Sequence, residues 1–243
     1  MKLKTLVLAL TGAALLAAGA QARETAPIVT PYDATYAVDP AKLSSVCASG
    51  SNAKLYLKFG DTVLATPRAA VTTFTPMRVA VVKENDVPIG FSFPADSGCA
   101  ENPIVVARAD VRLEGRPEPL LLATSTTTGG LSGAAKSVIY LRDRGKCPRE
   151  GKFMVCKGKS RVNGAEVETF AFIGEQEVGA TPSGEPYFAL CEGSRTQAAC
   201  EVSDELSPGL SFRIKLPKGT PQIEAIKAVH AEVRALLATM TAG

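Results

Sequence analysis

Six cysteines standing behind an export signal constrain this chain more than any other feature. Lys2 and Lys4 give a positive n-region, and residues 6–18 give an apolar h-region interrupted at Thr11 and Gly12. Ala18-Gly19-Ala20 and Ala20-Gln21-Ala22 then offer two A-x-A cleavage sites. The apolar run is too short to span a bilayer and no stop-transfer flank follows it. Residues 1–22 are therefore read as a signal peptide, with a mature chain starting near Arg23 and a periplasmic or secreted destination. Disulfides persist in that compartment. Cys47, the first cysteine, lies well past the cleavage region, so a lipidated N-terminus is not expected.

Six cysteines permit 15 connectivities, and sequence alone does not choose among them. Loop closure gives a preference. Cys147/Cys156 and Cys191/Cys200 are both C-x8-C, with turn residues Pro148 and Gly151 in the first loop and Gly193-Ser194 in the second. Both read as hairpins closed by a bridge between neighbouring strands, which leaves Cys47 to pair with Cys99. A metal site would need closely spaced ligands, and no C-x2-C or H-x3-H pair is present. No C-x-x-C redox pair occurs either. The cysteines are structural, and neither a metal nor any other cofactor is expected.

The fold class expected is α+β, mainly antiparallel β with a C-terminal amphipathic helix, braced by disulfides. Residues 23–52 read as a mostly irregular lead-in. Short β-branched or aromatic runs bounded by Gly, Pro, Asp or Asn follow at 53–59, 69–74, 77–82 and 87–93, and further strands at 107–113 and 119–124. Residues 126–136, rich in Gly, Ser and Thr, read as a loop or linker between a β-rich region at 23–125 and a second at 137–243. The two regions are compatible with one domain. In the second, strands are expected at 137–142, 152–156, 167–173, 187–191 and 210–216. The last alternates most cleanly, with Leu210, Phe212, Ile214 and Leu216 inward and Ser211, Arg213 and Lys215 outward. A helix begins after Thr220 and Pro221, suited to its cap and first turn. Ile223, Ile226, Val233, Leu237 and Met240 form its apolar arc, while Glu224, Lys227 and Arg234 face away.

Charge is distributed unevenly. The formal balance of +3 falls by two when Lys2 and Lys4 leave with the signal, so no global field steers the chain to nucleic acid or membrane. Residues 136–161, however, carry Lys136, Arg142, Arg144, Lys146, Arg149, Lys152, Lys157, Lys159 and Arg161 against only Asp143 and Glu150. Residues 162–209 reverse this, with Glu166, Glu168, Glu175, Glu177, Glu185, Glu192, Glu201, Asp204 and Glu205 against Arg195. Two readings follow: the blocks neutralise each other side by side, or the basic block meets an acidic partner or an anionic envelope polymer. On the second reading the partner-binding residues are Arg144, Lys146, Arg149, Lys152, Lys157 and Lys159, on the two arms of the Cys147/Cys156 hairpin.

Catalytic patterns are sparse. His230 is the only histidine and sits at the edge of the helix's apolar arc, the position of a packed or rim residue. Gly130-Leu131-Ser132-Gly133-Ala134 has the form of a nucleophile elbow, and Ser132, Asp204 and His230 follow the chain order of Ser-Asp-His hydrolases. The strand that should run into the serine is replaced by Thr, Ser and Gly, and no HGGG-like oxyanion motif is visible. Ser51-Asn52-Ala53-Lys54 matches S-x-x-K without its K-T-G and S-D-N partners. Gly158-Lys159-Ser160 lacks the earlier glycine of a P-loop. The acid pairs Glu166/Glu168 and Glu175/Glu177 alternate as residues of one wet strand face do. No catalytic residue is assigned.

Leu57-Lys58-Phe59-Gly60-Asp61-Thr62-Val63 followed by Pro67-Arg68 resembles the opening of small periplasmic immunity proteins, and Phe93-Pro94, Gly98-Cys99 and Asn102-Pro103 resemble a second segment of them. Such proteins neutralise toxic effectors, often lipases, delivered by contact-dependent secretion systems. The resemblance covers about 50 residues of the N-terminal half, its Gly-Asp and Asn-Pro pairs are also common turn chemistry, and no inhibitory residue carries over from it. It implies an exported, non-enzymatic binding protein with a protein partner, most concretely an inhibitor of a secreted effector. The alternatives are an envelope structural or assembly subunit and a serine hydrolase centred on Ser132.

Overall fold

The structure, a computed structural model, describes residues 27–29, 37–48, 53–84, 87–124, 138, 140–144, 146–162, 164–174, 187–194, 197–207, 209–219 and 223–241. The expected loop at 126–136, the cap at Thr220-Pro221, the signal peptide, Ser132 and Glu175/Glu177 lie outside them.

Alternation builds the sheet. In β2 (Lys54–Phe59), Leu55, Leu57 and Phe59 are fully buried while the residues between them are not. A two-residue turn reverses the chain into β3 (Thr62–Pro67), and Gly60 supplies the positive φ of 57° that the turn needs. After β4 (Val71–Pro76) the chain forms β5 (Arg78–Glu84) and β6 (Val87–Ser92), which join β1 (Pro27–Val29) in a small three-stranded sheet. The main sheet continues through β7 (Ile104–Val111), β8 (Leu120–Thr124), β9 (Arg149–Glu150), β10 (Phe153–Val162), β11 (Ala165–Gly174), β12 (Phe188–Glu192), β13 (Ala199–Ser207) and β14 (Leu210–Lys215). Its order is β3-β2-β7-β8-β14-β13-β12-β11-β10-β9, with β4 also paired to β7. The β2/β7 pair is parallel and the other described pairs are antiparallel. Because β8 pairs with β14, the sheet runs unbroken through both halves of the chain.

The C-terminal helix (Ile223–Met240) packs on this sheet. Ile226, Val229, Val233, Leu237 and Met240 join Leu55, Leu57, Phe153, Phe172 and Phe212 in one core. The helix packs against β13 in the middle of the sheet and against β3 at its end, and Thr241 bridges to Leu64 of β3. On the far side, Thr62 Oγ1 and Ser207 Oγ lie 2.5 Å apart, closing the start of β3 onto the end of β13. Each wholly buried Leu or Phe contributes about 1.5–3 kcal/mol, so this interior stabilises the fold more than any charge pair on its surface.

Three disulfides brace it: Cys47–Cys99, Cys147–Cys156 and Cys191–Cys200, the pairing that loop spacing favours. Cys191 and Cys200 are direct cross-strand partners in β12 and β13. Cys147 precedes β9 and reaches Cys156 in β10, stapling the hairpin at that end of the sheet.

Four expectations are corrected. A strand was expected at 137–142, but residues 140–144 are helical: Val138 and Leu141 are buried three apart, against Met154, Cys156, Ala171, Ile173 and Phe188 on the outer face of the sheet. Four strands, β1, β3, β9 and β13, fall outside the expected runs. Strand β10 runs on to Val162 rather than stopping near Cys156. Ser211 is buried rather than outward, its hydroxyl donating to the Ala123 carbonyl at 3.0 Å.

Candidate functional site

Strand β13 and the helix bring a polar cluster into the core. Asp204 points inward from β13 opposite Phe212 of β14, and its side chain is 1% exposed. His230 and Arg234 stand one helical turn apart on the facing side of the helix. His230 Nε2 lies 2.6 Å and Arg234 Nη1 2.7 Å from Asp204 Oδ2, while the Glu205 backbone N–H donates to Oδ1 at 2.7 Å. A carboxylate that receives a guanidinium and an amide is an acceptor only, so the imidazole carries its hydrogen on Nε2 toward Asp204. The Tyr187 ring stacks flat on the imidazole at 3.7 Å and 4°, with Phe212 at 6.1 Å and Phe153 edge-on to Tyr187 at 5.8 Å. Burial, then the charges of Asp204 and Glu224, push the Tyr187 phenol up to about 12.

This cluster can do two things. It fastens the helix to the sheet, because a buried carboxylate is tolerable only when its charge is paired and its oxygens are hydrogen-bonded. It also has the Asp-His half of a hydrolase triad. Two further features surround that half: Arg234 shares the oxygen that orients the imidazole, and Tyr187 covers one face of the ring. Ser132 lies outside the described residues. The sequence joined Asp204 to His230 only through their chain order, read His230 itself as a packed or rim residue of the helix, where it is indeed buried, and misread Arg234 as facing away. Tyr187 carried no signal as a site residue. The i, i+4 spacing of His230 and Arg234 was the one available clue to the shared acceptor.

A second concentration of function-bearing groups is the end of the sheet stapled by Cys147–Cys156. Arg144, Lys146, Arg149, Lys152, Lys157 and Lys159 are all exposed. Arg144 places its guanidinium carbon 5.0 Å from the centre of the Tyr140 ring, Lys157 lies 5.9 Å over Phe170, and Arg142 pairs with Asp143 at 3.3 Å. Arg149 and Lys152 each have interactions of their own. The β10/β11 hairpin sets the basic and acidic blocks side by side: Lys159 faces Glu168 and Arg161 faces Glu166 in register, and Lys159 Nζ reaches Glu166 at 2.9 Å. That hydrogen bond and charge raise the Lys159 ammonium above its ordinary range. Charge pairing between the two blocks is therefore present at Lys159, while Arg144 and Lys146 lie outside β10.

A hollow of about 510 Å³ opens beside the Cys191–Cys200 bridge, lined by Arg116, Glu118, Glu192, Glu201, Lys215 and Lys218 among others. It includes neither Asp204 nor His230. Arg116 is spent on Glu232 of the helix, whose carboxyl that hydrogen bond holds below its ordinary range, and Glu201 is paired with Arg213 at 3.3 Å.

The remaining motifs have local explanations. Gly158-Lys159-Ser160 lies within antiparallel β10, not at the strand-to-helix turn that cradles a phosphate. Lys54 opens β2, with Ser51 outside the described residues. Among the segments behind the family resemblance, Gly60-Asp61 is the β2/β3 turn, and Arg68 Nη2 donates to the carbonyls of Pro40 at 2.5 Å and Leu43 at 3.0 Å. Gly98 holds φ at 82°, donates to the Asn102 carbonyl, and lies so close to Leu55 that a Cβ would approach its Cδ1 to 2.5 Å. Among the described residues no group of three or more His, Cys, Asp or Glu is placed to hold a metal ion, and no helix is long and apolar enough to cross a membrane. Compared with family models, with curated proteins and with solved structures, the chain matches none.

Proposed function

We propose that this chain is an exported, periplasmic, non-enzymatic binding protein, acting most concretely as an inhibitor of a secreted toxic effector. The observation that carries this reading is the stapled sheet end: the Cys147–Cys156 bridge fixes exposed cations on a rigid β scaffold. Little ordering entropy is lost when such a surface meets a partner. The three disulfides suit an extracytoplasmic site. The pairing of His230 with Asp204 beneath the helix supports a structural use of the one imidazole. Neutralisation is the test. The mature protein is supplied in the periplasm of cells challenged with secreted effectors, beginning with any encoded beside it. Restored survival together with a stable complex on size exclusion is the expected result. Survival without a complex, or neither, overturns the reading.

The Asp204–His230 hydrogen bond favours one second reading, a serine hydrolase with Ser132 as nucleophile. Ester turnover by the purified protein, abolished in both Ser132→Ala and His230→Gln while the fold persists, would establish it.

A further inference from the structure

We propose that the helical turn at residues 140–144 is an aromatic–cationic docking knuckle for an acidic protein surface, with Tyr140 as its anchor and Arg144 as its charged partner. The inference rests on the reading of this chain as a binding protein and names the feature that would make the contact.

The turn is two-sided. Val138 and Leu141 are buried against the outer face of the sheet, whereas Tyr140 is 55% exposed and residues 142–144 lie on the surface. Large aromatic side chains bury most of their area when a fold offers them a place. Tyr140 instead presents its ring to solvent, with the guanidinium carbon of Arg144, four residues on, over the ring at 5.0 Å from its centre. A cation over an aromatic ring is attracted by the ring face, and the planar guanidinium carries its N–H donors in the fork that a carboxylate accepts. Arg142 and Asp143 cancel each other nearby, so the charge offered here comes from Arg144 and exposed Lys146.

The knuckle is also held in place. Cys147, three residues past the turn, is bonded to Cys156 in β10. Leu141 packs over Gly158 so closely that a Cβ at that position would collide with the leucine side chain. Tyrosine and arginine dominate binding hot spots where they are pre-ordered and a partner excludes water around them. The exposed cations of Arg144 and Lys146 make the complementary surface one that carries carboxylates.

Fluorescence anisotropy with a labelled hexaglutamate peptide at low salt tests this on the oxidised mature protein. Tyr140→Ala should weaken binding about three- to tenfold without changing its salt dependence, and Tyr140→Phe should restore it, since the ring face is kept. Arg144→Gln should weaken binding and flatten the salt dependence. Peptide binding that is undetectable, or equal in wild type and Tyr140→Ala, overturns the knuckle. The two proposals also fail separately. If wild type and Tyr140→Ala neutralise an effector equally well, inhibition stands and the knuckle falls. If the knuckle binds the peptide as expected and no effector is neutralised, the surface stands and the inhibitor reading falls.

Discussion

The Asp204 cluster makes a sharp prediction about stability. Asp204 accepts three hydrogen bonds inside the core, two of them from the helix and one from its own strand. Asp204→Asn keeps the shape but exchanges one acceptor oxygen for a donating amide and removes the charge. Either the Glu205 amide or the His230/Arg234 pair then faces a donor. A hydrogen bond to a charged group is worth about 1.5–3 kcal/mol, and a buried donor left without a partner costs about 1–3 kcal/mol. Arg234, 38% exposed, can turn to water and recover part of its loss, but His230 at 11% cannot. Asp204→Asn should therefore cost about 3–4 kcal/mol. His230→Gln retains a donor and loses the stack on Tyr187, worth about 0.5–1.5 kcal/mol, so it should cost only about 1–2 kcal/mol.

Because the two residues share one hydrogen bond, the double variant should cost about 1 kcal/mol less than the sum of the singles. Urea unfolding of the oxidised protein measures all three, and for a chain of this size Asp204→Asn should lower Tm by roughly 10 °C. An unchanged m-value shows that stability, not the denatured state, has moved. A cost below about 1 kcal/mol for Asp204→Asn, or additivity within about 0.5 kcal/mol, would refute the view that this pair latches the helix to the sheet.

Alkaline titration reads the same cluster from Tyr187. A phenol raised from 10.0 to about 12 keeps its proton in the folded state after the unfolded chain has lost it, so stability is intact below pH 10 and declines as pH rises toward 12. Tyr187→Phe should flatten that decline by about 2 kcal/mol, measured by urea midpoints between pH 9 and 11.5. Non-reducing peptide mapping should recover Cys147–Cys156 and Cys191–Cys200 as short loops and Cys47–Cys99 as a long-range link, and a free thiol would contradict the structure. Gly158→Ala should push Leu141 off the outer face at a cost of about 1–3 kcal/mol and speed reduction of the Cys147–Cys156 bridge, read by timed alkylation.

What could be read from the sequence depended on whether a segment's own pattern matched its surroundings. Strand β14 was legible because Leu210, Phe212 and Ile214 alternate with smaller or charged residues, and its inner face is the core. The helix was legible for the same reason at a different period. The bridges followed from loop spacing, which is a local property. Strand β13 was not legible, because its sequence, ACEVSDELS, hides the alternation: Ser203 and Asp204 are buried alongside Val202. Residues 137–142 failed in the opposite way. Their apolar run fits a strand, and only the prior presence of β10, β11 and β12 makes Val138 and Leu141 more useful on one side of a helical turn.

The candidate site was half legible for a related reason. Sequence order can place Asp204 and His230 in one motif, but it cannot say what surrounds them, and the surroundings decide the chemistry. An imidazole bonded to an otherwise lone aspartate is a candidate base. The same imidazole, bonded to an aspartate that also holds Arg234 and pressed against Tyr187, stands among groups that compete for its partner and shield its face. Arg234 was assigned to solvent because a charged residue on an amphipathic helix usually lies there, and its exposed side chain partly obeys that rule. Its terminal nitrogen does not: Nη1 lies 2.7 Å from Oδ2 of the buried Asp204, the reverse of the usual arrangement in which the stem is buried and the charged head stays in water. Charge pattern therefore locates the stem of such a residue and leaves its head undetermined, and in this protein the head closes on Asp204, the same carboxylate that His230 bonds.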